Sequence, residues 1–414
     1  MHFLTIDDFE VDGKTILVRT DLNSGLDENK EPKDNIRIKY HSGTIKELSD
    51  KGAKVVVMTH QGRVNSRDFI CLEKHAKLLE NHTEKDVKYI DDIFGSYAKN
   101  TIKSMKKGDI VLLENVRFSA EETSVDKDSH LSHMVKQLAP ILDYYVNDSF
   151  AANHRNHVSL VGFPQVLPSF AGRILQKELD VLTKVLDNPK RPSVLCLGGA
   201  KVDDSIKVIE QMLFNNSTDR VLTTGLVAMV FLAANGDYIG NATHKVLVEK
   251  KADLEIKYAK KLLKKYRDKI IMPVDFAVEV EGRRVEIPFS ALPSDYPLLD
   301  IGQDTIELYK NIIHNAATVL CNGPAGVFEK EGFETGTVEL FRAMEKSKAF
   351  SVLGGGDSAI AAERLGMLDK IDHVSTGGGA FILFISGKNL PAVDALINSA
   401  KKYGSLITRV TNDT

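Results

Sequence analysis

Cysteine is scarce in this chain of 414 residues: Cys71, Cys196 and Cys321 stand far apart with no CxxC spacing. An odd, scattered set argues against a disulfide framework and for a reducing compartment. Cys196 and Cys321 lie inside apolar runs and read as core packing. Excess charge is missing too. A formal net charge of −3 gives no support to nucleic-acid or membrane binding through bulk electrostatics, so any attraction for an anion must be local. The longest apolar run, residues 226–234, falls far short of the ~20 residues a spanning helix needs. Residues 1–10 carry Asp7, Asp8 and Glu10 and no basic stretch, so no signal peptide is expected and a cytoplasmic location is.

Familiar catalytic signatures are also absent. There is no G-x-S-x-G elbow and no marked nucleophile–base pair. Gly13-Lys14-Thr15 suggests a Walker loop, but Asp8 stands where that motif needs its first glycine, and the segment enters a strand instead of leaving one. His130 with His133 and His154 with His157 are spaced i, i+3, yet no third ligand stands beside either pair.

What is present is a regular alternation. The length makes two domains the expectation, and 43% apolar with 27% charged residues is ordinary for a globular protein. Strand-like runs fall at 15–19, 54–59, 87–90, 110–114 and 144–147 in the first half. In the second they fall at 194–197, 220–223, 270–274, 319–322, 350–353 and 373–375. Most are β-branched and nearly continuous in hydrophobicity, the mark of strands buried on both faces of a parallel sheet. Helical patterns at 38–51 and 254–266 lie between them. The reading is an α/β chain of two doubly wound, Rossmann-like domains. Residues 172–188 read as a connecting helix, stopped by Asn188-Pro189 and Arg191-Pro192. That sets an N-terminal domain at 1–171, a C-terminal domain at 189–390 and a tail at 391–414, with a helix at 393–403 and a short run at 406–410.

The two halves end their strands differently. Past the first set stand Arg19, Asp21, Asn23, His60, Arg63, Arg117, His154 and Arg155, with Arg37 nearby. Past the second stand Gly198-Gly199-Ala200-Lys201, Gly354-Gly355-Gly356-Asp357 and Gly377-Gly378-Gly379. In parallel sheets these positions line the carboxyl edge, where α/β folds bind ligands. Converging arginines suit a free anion; a single arginine there would be an ordinary solvated one. Glycines before a helix expose N–H groups and suit a nucleotide's phosphates. Asp357 would repel phosphate unless Mg²⁺ bridges them; as an alternative it is only a capping acid in a tight turn. Lys201 is either a point charge near a phosphate or a plain surface lysine. Gly354, Gly356 and Ala359 also match a dinucleotide fingerprint, but the acid due after the next strand is missing, since Asp369 and Asp372 precede that strand. That leaves a nicotinamide oxidoreductase as a distant reading.

Taken in order, the segments resemble the phosphoglycerate kinase family, as an archaeal-type member, over nearly the whole chain. Arg19-Thr20-Asp21-Leu22-Asn23 resembles R-x-D-F-N, and Asp34-Asn35-Ile36-Arg37-Ile38 the segment with the family's catalytic arginine. His60-Gln61-Gly62-Arg63 resembles H-L-G-R; Glu114-Asn115-Val116-Arg117-Phe118 matches E-N-V-R-F. Asn147-Asp148-Ser149-Phe150 with His154-Arg155-Asn156-His157 resembles N-D-A-F…H-R-x-H. Gly198-Gly199-Ala200-Lys201-Val202 matches G-G-A-K-V. Asn322-Gly323-Pro324-Ala325-Gly326-Val327-Phe328-Glu329 resembles N-G-P-M-G-V-F-E, and residues 354–357 and 373–380 match G-G-G-D and H-V-S-T-G-G-G-A.

The resemblance implies transfer of the acyl phosphate of 1,3-bisphosphoglycerate to ADP, with Mg²⁺ and ATP/ADP as co-substrate. It implies that Asp21, Leu22, Asn23, Arg37, His60, Gln61, Gly62, Arg63, Arg117 and Arg155 hold 3-phosphoglycerate in the first domain. In the second, Lys201, Glu329, Gly355, Gly356, Asp357 and Ser358 would hold the nucleotide, Asp357 on the metal. Arg37 and Lys201 would be catalytic, by direct in-line transfer with hinge closure, and the tail would return to the first domain. Its partners are small molecules, with neither nucleic acid nor membrane, and a monomer is expected over a homodimer. Ser205 stands where the family commonly has a second lysine; archaeal members tend to carry this serine. It motivates the competing reading of a catalytically weak phosphate-ligand binder. Leu22, Ser24, Gly25, Ala152, Cys321 and Gln303 also depart without removing a charged ligand. A carboxylate acceptor is already ionised at neutral pH, so the reaction calls for no general base, in keeping with the residues.

Overall fold

Runs of β-branched residues become strands closed on both faces. In the computed structural model, which describes residues 2–124 and 128–404, β1 (Thr15–Arg19) has all five residues buried, and its sequence accordingly shows no alternation. β2 (Lys54–Met58), β3 (Val87–Ile90), β4 (Ile110–Leu113), β5 (Tyr144–Asn147) and β6 (Ser169–Ala171) join it in a parallel sheet of order β3-β4-β2-β1-β5-β6. The order reverses at β1, with β2 on one side and β5 on the other. Register pairs Arg19 with Met58 and with Asn147, so the segments that follow β1, β2 and β5 emerge together at the switch point where such sheets take ligands.

The second parallel sheet has the order β15-β14-β13-β7-β8-β9. Its strands are β7 (Ser193–Leu197), β8 (Arg220–Thr223), β9 (Ile270–Ile271), β13 (Thr318–Asn322), β14 (Phe350–Gly354) and β15 (His373–Val374). Here the reversal lies between β7 and β13, both fully buried. Cys196 and Cys321 sit side by side in that register, both buried and both free thiols. The apolar run at 226–234 forms the helix Gly225–Asn235, enclosed on most sides by the same unit. Among the described residues, no helix is long and apolar enough to cross a membrane.

Three features differ from the sequence expectation. A separate antiparallel sheet forms from β10 (Asp275–Val280), β11 (Arg283–Pro288) and β12 (Asp300–Ile301). Its hairpin turns on Glu281 and Gly282, both at positive φ, which fits a tight two-residue connection. β11 is a largely exposed edge strand, so it carries none of the continuous hydrophobicity used to find the others. β9 stops at Ile271, short of 274, because Pro273 has no N–H to extend a ladder. β6 is three residues long and escaped notice.

The chain separates into two units, one running to Leu179 and resuming at Asn389, the other spanning Asp180–Lys388. The cut falls inside the helix Arg173–Asp187, whose last residue precedes Asn188-Pro189. The helix Pro391–Tyr403 packs into the first unit: Ala392 N–H donates to the Asn153 carbonyl at 3.3 Å, and Ser399 Oγ accepts the Ser169 N–H at 3.1 Å. The run expected at 406–410 lies outside the described residues.

Candidate active site

In the first unit the helix Ile36–Asp50 begins beside the carboxyl edge of the sheet. Asn35 caps it by accepting the N–H groups of Arg37 (2.9 Å) and Ile38 (3.2 Å), which pins Arg37 in the first turn. The Arg37 guanidinium lies 3.3 Å from Asp21 Oδ2. Asp21 is buried, and burial alone would raise its pKa; the positive field of Arg37, with Arg19 behind it, overrides this and holds the carboxyl well below its ordinary range.

His60 is buried between two arginines. Arg19 NH2 lies 3.1 Å from Nδ1 and Arg155 NH1 3.5 Å from Nε2. An arginine only donates and one faces each ring nitrogen, so a neutral ring can accept from only one of them; the closer approach is at Nδ1. Burial is the main cause that keeps the imidazole well below its usual pKa, helped by Arg19, Arg117 and Arg155 against the opposing pull of Asp21. Burial also lowers Arg117 to about 10, with Arg155 and Arg19 adding repulsion. Arg155 is lowered by burial and then by Arg19, Arg63 and Arg37, with Asp21 opposing. These mutual shifts place Arg37, Arg63, Arg117 and Arg155 in one electrostatic cluster around Asp21 and His60, a concentration of like charge that an anion would relieve.

The loops that carry these groups are braced by hydrogen bonds to backbone. Asn23 Oδ1 accepts the Gly62 N–H at 2.8 Å, and the Arg117 guanidinium donates to the Gly62 carbonyl. Gln61 is committed to the fold: its amide donates to the carbonyls of Ser24 (2.8 Å) and Asp68 (3.1 Å) and accepts the Ser24 N–H. Leu22 is wholly buried, its N–H donated to Thr59 Oγ1 at 3.0 Å. Arg63 opens to solvent. Arg19, part of the cationic set in sequence, is fully enclosed: it donates to Ser159 Oγ at 2.8 Å and to the Thr20 carbonyl, and lies 3.9 Å from Glu122. Its role is to orient His60. Glu122, fully buried and bonded also to Ser159 and 3.4 Å from His157, had no sequence signal.

In the second unit the turns after β7, β13 and β14 line one small cleft, bordered by Lys201, Ser205, Asn322 and Asp357. Gly198 N–H donates to the Asn322 carbonyl and Gly199 N–H to that of Pro324. Gly323, at φ +84°, packs so that a Cβ would fall 2.5 Å from the Gly198 carbonyl oxygen. Gly355, at φ +88°, caps the helix Gly356–Arg364, and a Cβ there would fall 2.4 Å from Asn322 Oδ1. Gly356 faces open space. Ser358 is buried and its Oγ accepts the Gly323 N–H at 2.8 Å, so it braces the loop. Gly355 is the cap, so Asp357 is not held as a capping acid. It stands 70% exposed, 4.0 Å from the 68% exposed Lys201.

Asn322, the last residue of β13, is not among the site residues expected from sequence. It is buried, and its Oδ1 is without a partner at the wall of the cleft, an orphaned polar atom of the kind ligands satisfy. The Asn-Gly pair immediately after a strand was the available signal. Glu329 is exposed on the loop that follows β13 and does not line this cleft. Ser205 is buried, its hydroxyl donated to the Lys201 carbonyl at 3.1 Å. Among the described residues no three of His, Cys, Asp and Glu gather as metal ligands. A lone exposed carboxylate beside helix N-termini fits Mg²⁺ carried by phosphate oxygens, the usual mode for that ion, and not an all-protein cage.

A family model described as phosphoglycerate kinase matches residues 6–388. The chain belongs to the phosphoglycerate kinase family. It is 46% identical over 409 residues to the phosphoglycerate kinase of Methanothermus fervidus, covering 98% of this chain and 99% of that one. It is 48% identical over 405 residues to that of Methanosarcina mazei, covering 97% of each. Among solved structures, phosphoglycerate kinase from Pyrococcus horikoshii OT3 superposes with a TM-score of 0.89 at 41% identity, covering 96% of this chain and all of that one. The enzyme from Coxiella burnetii gives 0.82 at 30% identity, with the same coverage. The family's reaction, reversible transfer of an acyl phosphate between 1,3-bisphosphoglycerate and ADP, makes the chain a phosphotransferase with a carboxyl group as acceptor.

Proposed function

We propose that the cationic cluster of the first unit holds 3-phosphoglycerate and that the glycine cleft of the second holds ATP or ADP with Mg²⁺. The observation that carries this reading is the convergence of Arg37, 3.3 Å from Asp21, and Arg155, 3.5 Å from His60, with Arg117 bonded to the nearby Gly62 carbonyl. Three guanidinium groups supply forks for one phosphate and one carboxylate. His60 borders the same space between Arg19 and Arg155, and Asp21 accepts a ligand hydroxyl while orienting Arg37. Asn23 and Gly62 fix the loops, and Leu22 and Gln61 contribute only as scaffold.

In the cleft, Lys201 meets the nucleotide phosphates, residues 355–358 present the helix N-terminus, and Asp357 holds the metal. Asp357 would hold Mg²⁺ beside the nucleotide phosphates, where the ion would supply neutralisation of negative charge. Glu329 is assigned to the ribose.

In the forward direction the P–O bond to the acyl oxygen breaks as the bond to the ADP β-phosphate oxygen forms, and the carboxylate leaves already ionised. In reverse that carboxylate attacks, and no proton need be removed from it. Arg37 stabilises the charge on the transferring group. Direct in-line transfer requires the two ligands to meet, so ligation of both is expected to compact the particle, as small-angle scattering would record. We further infer a monomer acting in the cytoplasm; the scarce, scattered cysteines and the separate site assigned to each unit support this reading.

The test is a coupled assay with ATP, Mg²⁺ and 3-phosphoglycerate. Turnover is expected, and Arg37→Ala is expected to lower kcat by at least ~10³. Binding of both ligands with negligible turnover, or an Arg37→Ala effect confined to KM, contradicts the assignment.

A further inference from the structure

Behind the anion site lies a buried polar connection that substrate contact does not explain. His41, on the same helix as Arg37 and one turn further in, is 1% exposed, and its Nδ1 lies 2.9 Å from Asp148 Oδ2. Asp148 is wholly buried. Its other oxygen accepts the N–H of Ile174 at 2.8 Å and of Leu175 at 3.4 Å, in the first turn of the helix that carries the chain from one unit into the other. Backbone presses on this carboxylate: a Cβ on Gly172 would fall 2.3 Å from Asp148 Oδ1. The two helices are joined a second time. Arg173 donates to both oxygens of Glu47, at 2.9 and 2.6 Å, and to Asp7. On the ligand side, His41 shares its helix with Arg37, which lies 3.3 Å from Asp21.

A buried histidine–carboxylate pair is costly to desolvate and is often matched in stability by apolar side chains. A helix cap alone needs only the aspartate. The histidine fixes the rotamer of Asp148 and ties it to the helix bearing Arg37.

We propose that His41 is a positioning residue that, through Asp148, links the anion site to residues 173–175, so that occupancy of the site alters the start of the connecting helix. The proposal rests on the assignment of 3-phosphoglycerate to the cationic cluster.

Amide hydrogen exchange at Ile174 and Leu175, with and without 3-phosphoglycerate, reads the link directly, and calorimetry of the same samples reads binding. In the unchanged protein the ligand is expected to slow exchange at both amides. In His41→Leu that response is lost and kcat falls about 3- to 30-fold, while KM for 3-phosphoglycerate moves far less. His41→Asn, whose amide can replace Nδ1–H, restores both. Ligand-dependent protection that survives in His41→Leu, or Asn and Leu variants that behave alike, overturns the proposal. Should His41→Leu not fold, Asp148→Asn decides, since it keeps an oxygen for the Ile174 N–H and removes the carboxylate that faces His41: weakened protection supports the link and unchanged protection overturns it. Absence of 3-phosphoglycerate binding to the unchanged protein would overturn the site assignment and the link together; binding without protection overturns the link alone.

Discussion

Lys201 Nζ and the Asp357 carboxylate face each other at 4.0 Å across the glycine-lined cleft, and both are more than two-thirds exposed. An exposed pair of this kind contributes little to stability, in the range ~0–1 kcal/mol. It is readily separated, leaving a cation for phosphate and an anion for a metal. Lys201→Ala is therefore expected to leave the melting temperature nearly unchanged and to lower kcat by ~10² or more, the scale for loss of one charge-stabilising donor. Steady-state kinetics alongside a thermal melt checks this; a large loss of stability with retained turnover would show a structural role.

Gly355 holds φ +88°, with Asn322 Oδ1 where a Cβ would go. Gly355→Ala is expected to destabilise by ~1–3 kcal/mol, the cost of a strained backbone, and to weaken ADP binding in calorimetry. Unaltered ADP affinity would mean that this turn does not form the nucleotide site.

Ser205 tests the competing reading of a weak binder. Its hydroxyl is spent on the Lys201 carbonyl one turn back. One such bond contributes ~1 kcal/mol net. Ser205→Ala is expected to change kcat by less than about 10-fold on that scale. A larger loss would place the hydroxyl in the chemistry.

Acid sensitivity has a traceable source in His75, which is buried and whose Nε2 lies 3.2 Å from Gln61 Oε1. Burial pushes its pKa down to about 4. The folded imidazole stays neutral while the unfolded chain takes up a proton below pH ~6.5, so stability is lost as pH falls from ~6.5 to ~4 and the loss then levels off, at about 3 kcal/mol. Asp21 acts at lower pH: its depressed pKa adds stability above the ordinary carboxylate range that is lost only below it. Urea unfolding at pH 7 and 4.5 should show a smaller pH difference in His75→Leu than in the unchanged protein; equal differences contradict the assignment.

Much of this was legible before any coordinates. Continuous β-branched runs locate the buried strands because burial on both faces removes alternation, and the residues just past them fall at the sheet edge by topology alone. The hairpin of β10 and β11 escaped the same criterion because Val285 and its neighbours lie on an exposed edge. Side-chain direction was the less legible part. Nothing in the order of residues separates Arg19, enclosed against Glu122, from Arg117, which stays at the site; that depends on residues 159 and 122 arriving from elsewhere in the chain. Asn322 was visible as a motif, but its unpartnered oxygen exists only once Gly355 is packed beside it.

The central claim is that each unit holds its own anion, the cations taking the three-carbon acid and the glycines the nucleotide. Calorimetric titration of 3-phosphoglycerate and ADP, each alone, into Arg117→Ala and Gly355→Ala tests it most directly. The account predicts a crossed result: Arg117→Ala weakens 3-phosphoglycerate and spares ADP, and Gly355→Ala does the reverse. Either variant weakening only the other unit's ligand, or both ligands equally, would contradict it.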